Sequence, residues 1–435
     1  MILSNLDRYK VSTTKAAATS FAGLPLVLGM GKSLGLEEAL NRLSLKERAR
    51  GYTPAESLFS LMGLIQAGGI ALDDISLLQG DEGLRALLGD FPASNTLGEV
   101  LRRFSGTAVY RLGEIGFQTA VKLIRAKALK QVTVDIDAFM VESQKEAVQM
   151  NYEGEWGYEP VMASCGELKL PLAGLFRPGN ASPMANLSGL LERVIEGLKQ
   201  AMPTLEIRVR SDSAAYQAGV VRVCHEQKVH FTITARKDDA VLETIRSIER
   251  EDWRPYESPA YPGRPTELAE TVHAFGDKDL PSYRLIVLRW LKEERDLFDR
   301  QPYAYHAVLT DQEGAAEELL AFHRHRQDKS ENVNKEQIGG FGLSKLPCRE
   351  LMANAAYFQL ALLSHIVFAA FKHFVLPESW QSFTIKTVRF RMIRLAGILQ
   401  RRSRSLWLKI PQNYPYRKLF EEARWGVLGA GVWVT

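Results

Sequence analysis

Three carboxylate positions, far apart in the chain, carry the chemistry this sequence suggests most directly. Asp135 and Asp137 stand two residues apart in an alternating run. Val132, Val134 and Ile136 fall on one side of it and Thr133, Asp135 and Asp137 on the other, which is the period of a strand. Asp212 closes a second run, in which Leu205, Ile207 and Val209 alternate with Glu206, Arg208 and Arg210. Glu331 falls in a stretch of helical character that begins near Ala315. In an open α/β sheet, sites gather beyond the carboxyl ends of the strands. Acids at two strand ends and one on a returning helix can therefore converge. Converging carboxylates suit Mg2+, with Mn2+ as the alternative, because both ions favour oxygen ligands. Two such ions about 3.5–4 Å apart can activate a nucleophile and stabilise the leaving oxygen of a phosphodiester. Each acid alone is more simply a cap or turn residue; three in this order argue for a metal site.

The elements that must position these acids are legible from periodicity. Residues 1–128 read as helical, with Leu58, Leu61, Leu64 and Ile65 at helical spacing and Ser94, Asn95 or Thr96 able to cap the helix that carries Val100, Leu101 and Phe104. Strands are expected over 132–137, 160–165 and 170–176, followed by a helix over 186–200 with Leu187, Leu190, Leu191, Val194, Ile195 and Leu198 on its buried face. A strand over 205–210, a helix over 213–227 and a strand over 229–234 follow. Three strands, helix, strand, helix, strand is the order of a ribonuclease-H-like mixed sheet, which needs one further helix. Residues 237–313 intervene. They are rich in Pro and contain strand-like runs at 282–290 and 303–310, so they read as an inserted β-rich domain. The expected organisation is an N-terminal helical domain (1–128) that could bind DNA ends or simply support the core, an α/β catalytic core (129–236 and 314–400), the insertion (237–313), and a basic, aromatic C-terminal segment (401–435).

At this point the chain resembles the DDE insertion-sequence transposases, and is most similar to the thirteen-eighty-type insertion-sequence family. The resemblance covers nearly the whole chain. It rests on Val134-Asp135-Ile136-Asp137-Ala138, Arg177-Pro178-Gly179-Asn180, Arg210-Ser211-Asp212-Ser213, Glu331-Asn332-Val333-Asn334-Lys335-Glu336 and, in the leader, Asp90 to Leu97. It implies Asp137, Asp212 and Glu331 as the catalytic, metal-holding acids. Asp135 shares a strand face with Asp137, so spacing keeps it eligible as a metal ligand; Asp137 is preferred because it begins the Asp-Ala pair nearer the strand end. The sequence departs from the family's tyrosine–arginine–glutamate–lysine pattern. His323 stands near the tyrosine place, Arg326 is five residues before Glu331, and Ile338 occupies the later lysine place, with Lys335 one turn after Glu331. On a continuous helix Arg324, Glu331 and Lys335 share a face, where arginine and lysine could align a phosphate; a solvated charged face is the alternative. Arg326, Arg210 and Arg177 are further candidate DNA contacts. His323 and His325, two apart, read as surface residues. Trp253 and Trp290 read as the core of the insertion, with base stacking as the alternative.

Overall composition is that of a folded, soluble chain: 435 residues, net charge +4, 46% hydrophobic and 24% charged. No low-complexity tract or repeat is present, which removes disordered and solenoid classes. Between Lys386 and Lys409 eight basic residues occur without an acid. Arg401, Arg402 and Arg404 within that run are candidate phosphate contacts, against the plain reading of a solvated basic face. Cys165, Cys224 and Cys348 are widely spaced, so neither a disulfide framework nor a structural zinc is expected. The apolar run 351–371 reads as a buried core helix rather than a membrane span. The resemblance implies a bacterial, cytoplasmic, nucleoid-associated transposase that cuts and pastes DNA. Its partners would be the terminal inverted repeats and the target DNA, and it would work as a homodimer. A metal-dependent nuclease without strand transfer, and a catalytically silent DNA-binding repressor, are the alternatives.

Overall fold

The computed structural model describes residues 10–45, 51–143, 145, 148–151, 154–292 and 302–430, the side chains of 327–331 excepted. In chain order the first part comprises β1 (Ala17–Thr19), α1 (Leu24–Ser33), α2 (Leu36–Asn41), α3 (Pro54–Ala67), α4 (Ile75–Gln79), α5 (Glu82–Leu88), α6 (Ser94–Arg102) and α7 (Gly106–Ala126). Helix α3 starts at a full capping box: the Thr53 hydroxyl accepts from Glu56 N, and the Glu56 carboxylate accepts from Thr53 N. It stops at Gly68, whose φ of 89° favours glycine and whose N–H, with that of Gly69, closes on Ile65 and Leu64 carbonyls.

The catalytic half begins with β2 (Gln131–Ala138), β3 (Val141–Glu142), β4 (Gln149–Met150), β5 (Trp156–Tyr158), β6 (Val161–Cys165) and β7 (Leu170–Leu175). It continues with α8 (Leu187–Ala201), β8 (Glu206–Ser211), α9 (Ala218–Glu226), β9 (His230–Thr234) and α10 (Asp239–Arg246). Next come β10 (Arg254–Tyr256), β11 (Thr266–His273), β12 (Tyr283–Leu291), β13 (Tyr303–Thr310) and the long α11 (Ala316–Gly340). The chain closes with α12 (Leu351–Phe374), α13 (Ile385–Val388), β14 (Gly397–Arg402), β15 (Ser405–Lys409) and α14 (Arg417–Gly429).

One nine-stranded sheet runs in the order β10-β11-β12-β13-β9-β8-β2-β6-β7. Its core is the expected five: β2, β6 and β7 pair antiparallel, while β8 lies parallel to β2 and β9 parallel to β8. The expected insertion supplies strands, but they do not form a sheet of their own. β13 pairs antiparallel with the β9 edge, and β12, β11 and β10 follow outward. An unpaired β9 edge would leave a row of backbone donors and acceptors exposed; the insertion satisfies them. Between β2 and β6 the chain also makes a small sheet, β3-β5-β4, that alternation did not suggest.

Helix α12 is the centre of the core. From Ala353 to Lys372 every residue is buried, and the helix packs on α1, α3, α6, α7 and β7. The apolar run is therefore a core helix, as its Asn, Gln, Ser and His content suggested. β1 pairs with β14 of the late hairpin, so the helical leader is tied to the segment that follows α13.

Candidate active site at the carboxyl ends of the core strands

Parallel pairing sets two of the acids side by side. In the β2–β8 register Asp135 faces Arg210 and Ile136 faces Ser211, the last pair, so Asp137 and Asp212 each follow that pair directly at the carboxyl ends of adjacent strands. Neighbouring strands lie about 4.8 Å apart, and paired residues of parallel strands point to the same face. The Ser211 hydroxyl donates to the Ile136 carbonyl at 2.7 Å and locks the two strands together just below this level. Asp212 turns the chain out of the sheet. One of its carboxylate oxygens accepts from Ala214 N at 2.9 Å, capping a short helical turn. The acid also lines an open cleft with Ala138, Glu159, Ser182, Met184, Ser213 and Arg236.

Helix α11 lies against β2, β8 and β9. Its Arg326 guanidinium is 3.3 Å from Asp137 Oδ2, and the Asn334 amide donates to the same oxygen at 3.1 Å. Glu331 lies on the helix between these two residues, one turn before Asn334; its side chain is outside the described residues. The helix is pinned at its other end by three contacts. Arg210 donates to the Phe322 carbonyl at 2.7 Å, and His323 is hydrogen-bonded to Thr232 and Thr234 hydroxyls of β9 at 3.1 and 2.9 Å. Burial, with His306, Arg326 and Arg210 nearby, pushes the His323 pKa down to about 3. The imidazole is therefore neutral near pH 7, and His323 is a buried clamp rather than the surface residue its spacing suggested. His325 is exposed, as expected.

Asp135 has a different environment from Asp137. Both of its oxygens accept from Arg210, at 2.7 and 2.9 Å, and the two side chains are 0% and 1% exposed. Burial pushes this carboxyl upward, and the arginine pulls against it. Paired this way and sealed from solvent, the two side chains are spent on each other, and this buried, bidentate ion pair corrects the metal role expected of Asp135 and the DNA contact expected of Arg210.

Arg177 is likewise committed inside. Its Nε donates to the Glu159 carbonyl at 2.7 Å and its Nη1 to the carbonyls of Ser182 and Ala185, which shapes the loop forming one wall of the Asp212 cleft. At 5% exposure it is a loop anchor and not a DNA contact. Arg324 lines a second cavity with Tyr256, Tyr261, His306, His323 and Arg326. Lys335 is exposed. Trp253 is buried with the Arg289 guanidinium 3.8 Å above its ring, and Trp290 packs on Tyr261, ring centroids 4.4 Å apart.

The basic run divides in two. Arg389 is buried and donates to the carbonyls of Gln66, Ile65 and Gly340, while Arg394 donates to Ala67. They neutralise the carbonyl ends of α3 and α11, where helix dipoles favour cations. Arg401, Arg402 and Arg404 instead sit exposed at the β14–β15 tip, where Ser403 has φ 51° and Arg402 lies 5.9 Å from the Trp407 ring.

Reading residues alone gave no place to Asn334, which contacts Asp137, or to Arg236, which lines the Asp212 cleft. Asn334 has the signal of lying one turn from Glu331; Arg236 has that of following the fifth core strand. The donors at the strand ends are carboxylate and amide oxygens, the set that Mg2+ and Mn2+ take. Among the described residues no three His, Cys, Asp or Glu side chains converge on one point. The third expected acid would be Glu331.

Comparison with known proteins places these features in context. The sequence pattern of a family described as transposase DDE domain group 1 matches residues 5–426. No curated protein matches the chain significantly in sequence. Among solved structures, a piggyBac transposase in a synaptic complex with hairpin DNA superposes with a TM-score of 0.50 at 10% identity, covering 87% of this chain and 82% of that one. At that identity the likeness speaks for the fold, a ribonuclease-H-like core with additions.

Proposed function

The chain belongs to the group 1 DDE-domain transposases, and from that premise we propose that it cleaves DNA at terminal inverted repeats and joins the freed end to target DNA. The observation that supports this reading is the β2–β8 register, which sets Asp137 and Asp212 at the carboxyl ends of adjacent strands, with Asn334 of α11 on the Asp137 carboxylate. In the proposed mechanism Asp137, Asp212 and Glu331 hold Mg2+ or Mn2+. Two bound ions would supply a nucleophile active at neutral pH and charge stabilisation at the leaving oxygen. The protein's own residues supply position. Arg326 and Asn334 fix the Asp137 carboxylate, the Ala214 N–H fixes Asp212, and Arg326 adds positive charge where a phosphodiester must approach. The exposed arginines of the β14–β15 tip supply non-specific phosphate affinity, with Trp407 beside them as a stacking surface. The active assembly would be a dimer, because two DNA ends must meet before joining.

A cleavage and strand-transfer assay on DNA carrying the element's ends tests the reading, with Asp212→Asn and Glu331→Gln beside wild type. Magnesium-dependent cleavage with joined product in wild type alone is the expected outcome. Cleavage without joining from pre-cut ends would reduce the protein to a nuclease. Undiminished cleavage by either variant would remove that acid from the site.

A further inference from the structure

We infer that Asn334 is an additional oxygen ligand of the divalent-metal site, acting through its amide oxygen; the inference rests on the metal-dependent reading above. Three observations carry it. First, Asn334 is 6% exposed and its Nδ2 donates to Asp137 Oδ2 at 3.1 Å, so the side chain is in the site. Second, that bond fixes which way round the amide lies, since the reverse orientation would set its oxygen against a carboxylate. Third, with the nitrogen so engaged, the buried Oδ1 has no hydrogen-bond partner.

A buried amide oxygen without a donor is rare, because burial strips it of water and returns nothing. A hard cation bound at Asp137 would supply the missing partner, and amide oxygens are ordinary ligands of such ions. The placement agrees: Asn334 lies one helical turn after Glu331, and residues three apart are neighbours on a helix surface. The other orphaned amide oxygen of α11, Gln337 Oε1, belongs to a side chain bonded to His365 on α12 and not to the acids.

The test is metal binding by the full-length protein without DNA, read as free Mn2+ by electron paramagnetic resonance and repeated with Cd2+ in competition. Wild type should bind Mn2+, and Asp137→Asn should abolish binding. Asn334→Ala should weaken binding about tenfold or more, whereas Asn334→Asp, which keeps an oxygen, should retain it. Asn334→Cys should reverse the order of metals, favouring Cd2+ over Mn2+, because sulfur is a soft ligand. This variant also covers the case in which the alanine variant fails to fold. A role limited to holding Asp137 would weaken both metals alike in Asn334→Cys, and that result overturns the inference. So does unchanged Mn2+ affinity in Asn334→Ala. Absence of Mn2+ binding in wild type would instead overturn the metal reading as a whole.

Discussion

Asp135 and Asp137 leave the same face of one strand two residues apart, and they meet opposite surroundings. At the lower level Asp135 is closed off by the fork of Arg210 and fully buried. At the upper level Asp137 meets single contacts from Arg326 and Asn334, at 3.3 and 3.1 Å. The same division runs through the basic segment. Arg389 and Arg394 are spent on helix carbonyls, while Arg401, Arg402 and Arg404 face solvent at a hairpin tip. The partner, not the residue type, decides whether a charge in this protein is sealed in the frame or stands near a cleft or the surface.

The sharpest way to break this comparison is to treat the two acids alike. Asp135→Asn leaves a buried guanidinium short of its counter-charge and should cost about 3–5 kcal/mol of stability, seen as a large drop in denaturation midpoint. Asp137→Asn should leave stability nearly unchanged and lower cleavage at least about a hundredfold, since even groups one step removed from a metal cost 10–100-fold. Equal stability loss in both would erase the distinction. Next in size is the basic pair of regions. Arg389→Ala leaves three carbonyls without their donor and should cost about 2–4 kcal/mol. Changing Arg401, Arg402 and Arg404 together to Gln should move stability by less than about 0.5 kcal/mol. It should also flatten the dependence of DNA affinity on log salt by up to about 3. An unchanged salt slope would make the hairpin tip a solvated face.

The smallest effect concerns His323. Its folded pKa lies near 3, below the ordinary 6.5, so between those values the unfolded chain takes up a proton that the fold refuses. Stability must then fall as pH falls through that window. Replacing His323 with Gln should remove up to about 1.4 kcal/mol per pH unit of this slope, measurable by denaturant unfolding between pH 4 and 6.5. An identical slope in the variant would show that His323 is accessible to protons in the fold.

Much of the frame was legible because strand alternation and helix periodicity are local properties. The core strands and α8 lie within a few residues of where periodicity set them, and α11 begins where its character returned. What was not legible depends on partners far along the chain. Asp135 and Asp137 are indistinguishable by spacing; only Arg210, 75 residues away, tells them apart. The strand runs of the insertion were visible, but their attachment to β9 is a pairing across some 75 residues that no window contains. His323 was assigned to the surface because a two-residue spacing separates it from His325. That argument holds for His325 alone: Thr232 and Thr234 had already made a polar niche for the other.

Helix α12 sets the order in which the molecule can be completed. It is the common wall against which α1, α3, α6, α7 and β7 bury their apolar sides, yet it is encoded only at Leu351–Phe374. During synthesis the leader helices and all nine strands of the large sheet emerge before this central support exists. The leader helices and the sheet must wait with exposed hydrophobic faces, in the regime where long-range closure slows folding and invites association. A chain interrupted before Leu351 therefore loses more than its tail. It is left as two half-cores without the piece that joins them, so premature termination should yield insoluble fragments instead of a smaller working protein.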